Sequence, residues 1–118
     1  MKFFAMVLNL KDDPQVIEKY KEYHRRVWPE VIQALREAGI TRMRIFLKGR
    51  HEFMYCEARD DFDPRTDFQK YLSAHPKVRE WEAIMRELQE PVTEAEPGEW
   101  WSLCEPVFDL ESAEGEAR

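Results

Sequence analysis

Residues Lys2 to Leu10 are apolar at almost every position. In an extended conformation Phe3, Ala5 and Val7 point to one side and Phe4, Met6 and Leu8 to the other, so the strand offers no face to water. Both sides need cover, and the remainder of the chain has to supply it.

Asp13-Pro14 is a helix start, with a carboxylate free to cap backbone amides and proline at the first helical position. The spacing predicts a helix from there to Gly39 that carries Ile17, Tyr20, His24, Val27, Trp28, Val31, Leu35 and Ala38 in one buried stripe. Pro29 removes a backbone hydrogen bond and crowds the preceding turn, which predicts a kink close to Trp28. Met43, Ile45 and Leu47 alternate with Arg44, Phe46 and Lys48; Lys48-Gly49-Arg50 offers a turn, and Phe53 to Ala58 resumes an extended pattern, giving a hairpin. Asp63-Pro64 starts a short helix with Phe68 and Leu72. Pro76 opens another with Val78, Trp81, Met85 and Leu88. Pro91 to Gly98 reads as loop, and Trp100 to Phe108 as a last strand.

The order is β-α-β-β-α-β, an α+β ferredoxin-like arrangement whose antiparallel sheet carries its helices on one face. At 118 residues the chain holds one domain, expected over residues 1–110, with a frayed tail over 111–118 that lacks large apolar side chains. The other sheet face stays apolar, because the first strand is apolar on both sides and the hairpin adds Phe46. A second copy packed sheet to sheet is the economical cover, so a homodimer of the dimeric α/β barrel type is expected.

A net charge of -6 argues against nucleic acid, which needs a basic stripe. No apolar run approaches the ~20 residues of a membrane span, and Met1 to Leu10 is too quickly charged for a signal peptide. The cytoplasm is the expected compartment. Cys56 and Cys104 read as reduced core residues, and His24, His51 and His75 sit in no recognisable metal motif, so no metal site is expected.

Tyr20 and His24 stand four residues apart on one helical face, with Trp28 a turn beyond. Polar tips inside a buried stripe need partners, and either backbone carbonyls or a bound ligand would serve. A core histidine satisfied by its own protein is the plain reading. The alternative is a proton-exchanging group beside a hydroxyl and a flat apolar wall, surfaces a sugar would use. Trp81 carries the same ambiguity between core and pocket. Trp100 and Trp101 would point to opposite sides of a strand, so only one could line a given pocket. The Glu-rich stretches around Glu94 to Glu99 and Glu111 to Glu116 read as solvated surface.

The run Tyr-x-x-x-His-x-x-x-Trp-Pro-Glu, from Tyr20 through His24 to Trp28-Pro29-Glu30, closely resembles the first-helix signature of the L-rhamnose mutarotase family. The likeness continues through Gly39, the Met43 to Leu47 strand, Trp81, Met85 and Val107-Phe108. It implies a cofactor-free dimer of ferredoxin-like subunits that interconverts the α and β anomers of a 6-deoxy-L-hexose monosaccharide. It also implies that His24 is the proton donor and that Tyr20 and Trp81 contact the sugar; Trp28, from its own place on the apolar stripe, offers a further stacking surface. Two sugar-contacting positions depart from the rhamnose pattern: Met43 stands for a tyrosine and Glu82 for a second tryptophan. Lys11-Asp12-Asp13-Pro14, Trp81-Glu82 with Met85, and Gly98-Glu99-Trp100 look more like the L-fucose branch. In the mechanism so implied, His24 gives a proton to the ring oxygen as general acid, while Tyr20 orients a hydroxyl or relays the second proton. By fold analogy alone, a small monooxygenase is the alternative enzyme. A non-catalytic sugar-binding module is the alternative outside enzymes.

Overall fold

The computed structural model describes residues 1–111. In chain order its elements are β1 (Lys2–Leu10), α1 (Pro14–Arg25), α2 (Pro29–Ala38), β2 (Ile40–Lys48), β3 (His51–Ala58), α3 (Phe68–Ser73), α4 (Pro76–Leu88), β4 (Gln89–Glu90) and β5 (Ser102–Leu103). β1 is central, as its apolar character requires. β3 runs antiparallel along one edge, from Lys2 opposite Ala58 to Asn9 opposite His51, and β2 lies outside β3. The other edge of β1 is shared, β5 pairing at Met6 and Val7 and β4 at Asn9 and Leu10. This is the ferredoxin-like order, with the last strand divided into two short pieces.

The pairing assigns each side chain to a face. Phe4, Met6 and Leu8 stand in register with Cys56, Met54 and Glu52, and these with Met43, Ile45 and Leu47, on the side that carries the helices. The opposite side holds Phe3, Val7, Phe53 and Phe46 among charged residues, and Phe3, Phe46 and Phe53 are each 44% or more exposed. Gly49 takes the first central position of the β2–β3 turn with φ +60, which suits a two-residue hairpin.

The expected single kinked helix is two helices. Pro29 is the first residue of α2, where a missing N–H costs nothing, and it forces the preceding Trp28 to extended angles (φ −62, ψ 138), so the chain breaks over Arg26 to Trp28. The Trp28 carbonyl then receives the Val31 and Ile32 amides. Gly39 ends α2 in the left-handed region at φ +116, its N–H reaching the Arg36 and Leu35 carbonyls. Asp63-Pro64 opens a hydrogen-bonded turn, and regular helix begins only at Phe68.

The last strand is shorter than expected. Beyond the Cys104 N–H bond to the Ala5 carbonyl, Pro106 has no N–H with which to extend the ladder. Glu99 is not free surface: its carboxylate accepts from the Ser102 hydroxyl at 2.8 Å and the Leu103 N–H at 3.1 Å, tying the loop to β5. Of the expected tail, residues 112–118 lie outside the described residues. Among the described residues no helix is long and apolar enough to cross a membrane.

Apolar packing is divided. One cluster joins the helices through Tyr20, Val31, Tyr71, Val78, Trp81 and Met85; another lies on the sheet around Met6, Met54 and Cys56. Phe62, stacked on Phe4 with ring centroids 5.7 Å apart, closes one end beside Ile40 and Ala58. Between the helix cluster and the sheet cluster the structure leaves a cleft.

Candidate active site

The cleft has a volume of about 910 Å³, within the usual range of ligand sites, about 300–1,000 Å³. Its sheet floor includes Met6, Ile45 and Met54, and its helix side includes Tyr20, His24, Tyr71, Trp81 and Glu82.

α1 sets Tyr20 and His24 one turn apart. The His24 ring stacks on the Tyr20 ring with centroids 4.1 Å apart and meets the Trp81 ring edge at 5.4 Å. His24 Nδ1 lies 2.9 Å from the Tyr20 carbonyl oxygen. A carbonyl can only accept, so Nδ1 carries the hydrogen and the neutral ring has its lone pair on Nε2. Burial lowers the His24 pKa below its ordinary 6.5, partly countered by the bond to the Tyr20 carbonyl. His24 is therefore a neutral, oriented base at neutral pH.

Met43, Trp81 and Glu82, expected from the resemblance, also line the cleft. Trp28 does not. Held in the extended cap before Pro29, its ring backs Trp81 at 5.2 Å and faces the Lys77 ammonium at 5.3 Å. Trp100 and Trp101, expected on opposite sides of a strand, both border the cleft, because the strand begins only at Ser102 and its alternation does not reach them.

Three further polar side chains were outside the sequence reading. Tyr71 on α3 donates its hydroxyl to Glu82 Oε1 at 2.8 Å, and burial raises the Glu82 pKa. Gln89, at the end of α4, accepts the Trp100 indole N–H at 2.9 Å; an indole only donates, so the Gln89 oxygen faces Trp100 and its NH2 group is turned to the Tyr20 hydroxyl. Glu52 is the third. It is 1% exposed, and neither carboxylate oxygen has a hydrogen-bond partner of good geometry among the described residues. The Tyr20 hydroxyl faces it and partly offsets its burial, which pushes the Glu52 pKa up to about 7. Burial first, then the charge of Glu52, raises the Tyr20 pKa.

Glu52 left a trace in the sequence: it is in phase with Met54, Cys56 and Ala58, the inward set of β3. Starting the strand at Phe53 hides it. Among the described residues no three histidine, cysteine, aspartate or glutamate side chains converge as metal donors would.

The arrangement is an apolar cleft with an aromatic wall, one oriented imidazole and two tyrosine–carboxyl pairs. Such a set can bind a neutral polar molecule and move protons at two places.

The family model described as L-rhamnose mutarotase matches residues 4–110. A UPF0734 protein of Dictyostelium discoideum is 50% identical over 113 residues, covering 93% of this chain and 90% of its own. The L-fucose mutarotase of Xanthomonas campestris pv. campestris is 34% identical over 115 residues, covering 96% of this chain and 91% of its own. The crystal structure of an L-rhamnose mutarotase from Formosa agariphila is similar in fold, with a TM-score of 0.65 at 21% identity over 92% of this chain and 98% of that one.

Proposed function

The chain belongs to the L-rhamnose mutarotase family, whose members are carbohydrate isomerases, and from that premise we propose that it interconverts the α and β anomers of a 6-deoxy-L-hexose, L-rhamnose or L-fucose. We take it to act as a cytoplasmic homodimer. The free thiols of Cys56 and Cys104 suit a reducing compartment, and the exposed Phe3, Phe46 and Phe53 on the outer sheet face suit a second copy.

One observation carries the reading. His24, with Nδ1–H committed to the Tyr20 carbonyl, offers Nε2 as its exchangeable site beside an aromatic wall in a cleft large enough for a monosaccharide. Mutarotation opens the pyranose by removing the anomeric hydroxyl proton and delivering a proton to the ring oxygen. The aldehyde then turns and recloses on its other face. A neutral His24 begins as the base at the anomeric hydroxyl and returns that proton on closure, so it is acceptor first and donor second. That order differs from the initial delivery to the ring oxygen implied by the resemblance. In this reading Tyr20, which borders the same cleft, serves the ring oxygen. Positioned acid–base groups contribute roughly 100- to 10,000-fold each, which suffices for a reaction that already proceeds in water.

Glu82 and Met43 border the cleft where the rhamnose pattern has tryptophan and tyrosine, so both sugars are worth testing. Saturation-transfer proton NMR follows magnetisation between the α and β anomeric signals when protein is added. The expected result is acceleration by the wild type with at least one sugar and loss of most of it in a folded His24→Ala variant. Sugar binding without exchange would replace the enzyme reading with that of a binding module. Unimpaired exchange by His24→Ala would remove His24 from the chemistry.

A further inference from the structure

Glu52 is anomalous in its surroundings. Its register partners on both neighbouring strands are leucines, Leu8 on β1 and Leu47 on β2. A third leucine would bury apolar surface without desolvating a carboxyl group, and a buried ionisable side chain without hydrogen-bond partners is destabilising compared with an apolar one of similar volume. A local violation of this kind points to a task outside stability.

We propose that Glu52, held behind Tyr20 on the helix-facing side of the sheet, is the second proton reservoir of the site and acts on the sugar through the Tyr20 hydroxyl. The inference rests on the mutarotase reading. Glu52 does not border the cleft, whereas Tyr20 does, and the Tyr20 hydroxyl faces both the Glu52 carboxyl and the Gln89 amide. Glu52 is a positioning residue in this scheme, because it never touches the substrate.

A tyrosine hydroxyl has one proton and two lone pairs. When Glu52 is ionised, that proton turns to the carboxylate, and Tyr20 can only accept from a sugar. When Glu52 is protonated, its O–H donates to Tyr20, Gln89 occupies the second lone pair, and the Tyr20 proton is released toward the cleft. Ring opening then balances. Tyr20 passes its proton to the ring oxygen as the bond between the anomeric carbon and that oxygen breaks, and Tyr20 takes the Glu52 proton. His24 Nε2 removes the anomeric hydroxyl proton as the aldehyde forms. Closure on the other face reverses each transfer, restoring neutral His24 and protonated Glu52. The register partners of Glu52 are the apolar Leu8 and Leu47, and a small cavity that Glu52 borders is also bordered by Asn9, Lys48 and His51; Gln89 and, from a distance, Glu82 on α4 act on Tyr20.

Two measurements on the intact protein test this. With tyrosine labelled at the ring carbon bearing oxygen, the Tyr20 carbon-13 resonance should titrate in the wild type with a midpoint near 7, the value to which burial pushes Glu52, and should lose that step in Glu52→Gln. In sugar exchange, kcat of the wild type should fall on the alkaline side of the same midpoint. Glu52→Gln should lose that limb together with about 100-fold in kcat, with KM nearly unchanged. A flat Tyr20 resonance in a wild type that exchanges sugar would overturn the relay and leave the mutarotase reading standing, as would a Glu52→Gln enzyme with the wild-type pH profile. A wild type that exchanges neither sugar sinks both. The titration in the wild type remains decisive against the relay even should Glu52→Gln fold poorly.

Discussion

His24 is tied to Tyr20 twice, by the Nδ1–H bond of 2.9 Å to the Tyr20 carbonyl and by ring stacking at 4.1 Å. Neither tie uses the Tyr20 hydroxyl. Tyr20→Phe should therefore keep the imidazole in place and keep most sugar binding, while kcat falls about 100-fold because the ring oxygen loses its proton source. Exchange kinetics by NMR, with His24 ring-proton shifts as the control for position, check this. Displaced His24 signals would mean that the hydroxyl holds the site together and does not serve the chemistry.

The buried carboxyl of Glu52 has a signature in stability as well as in rate. Its folded pKa, about 7, lies above its ordinary 4.5, so between those values the folded protein keeps a proton that the unfolded chain has released. The Glu52 contribution to stability is then most favourable below 4.5, falls as pH rises through that window, and levels off above it, a loss of about 3 kcal/mol. His24 works in the opposite sense: its lowered pKa removes stability as pH falls below 6.5. Urea unfolding across this range should show Glu52→Gln without the alkaline loss. An unchanged alkaline slope in that variant would place the burial penalty elsewhere.

Much of this fold is written in punctuation that has a mechanism. Pro14, Pro29 and Pro76 each stand at the first position of a helix, and Gly39 closes α2 with an angle that L side chains avoid. Pro29 shows the limit of that signal: the same residue serves as a kink or as a helix start, and here the extended angles of Trp28 make it a start, with α1 ending at Arg25. The short β4 and β5 were illegible in detail because the edge of β1 is divided between two segments distant in sequence. Spacing on buried stripes singled out Tyr20, His24 and Trp81 but left them open between core and pocket, and only a resemblance set them, with Met43 and Glu82, at a candidate sugar site. Glu52 could have been found from alternation alone, had the strand been begun one residue earlier.

Gly39 combines two restrictions. Its φ of +116 is strained for any L side chain, and a Cβ there would lie 3.2 Å from Arg59 Nη2, 3.3 Å from Arg59 Nε and 3.4 Å from Phe62 Cδ2. Gly49 has φ +60 with open space around it. Gly39→Ala should therefore cost about 2 kcal/mol and Gly49→Ala about 1 kcal/mol, the latter from backbone conformation alone. Denaturant midpoints of the two variants test the order. Equal losses would show that the Arg59 side chain swings away without cost.

The outer face of the sheet carries a transverse row in which Val7 pairs with Phe53 and Phe53 with Phe46, and both phenylalanines are exposed. Isolated exposed apolar residues are ordinary, but a contiguous row at the centre of a sheet calls for cover. A two-fold partner would supply it by laying the same row against itself. Phe53→Glu would then bring two carboxylates together at the centre of the interface, an arrangement that costs several kcal/mol through desolvation and repulsion. Sedimentation velocity should find the wild type dimeric at micromolar concentration and Phe53→Glu monomeric with its secondary structure intact. A wild type that sediments as a monomer would show that this face is not a sheet-to-sheet interface.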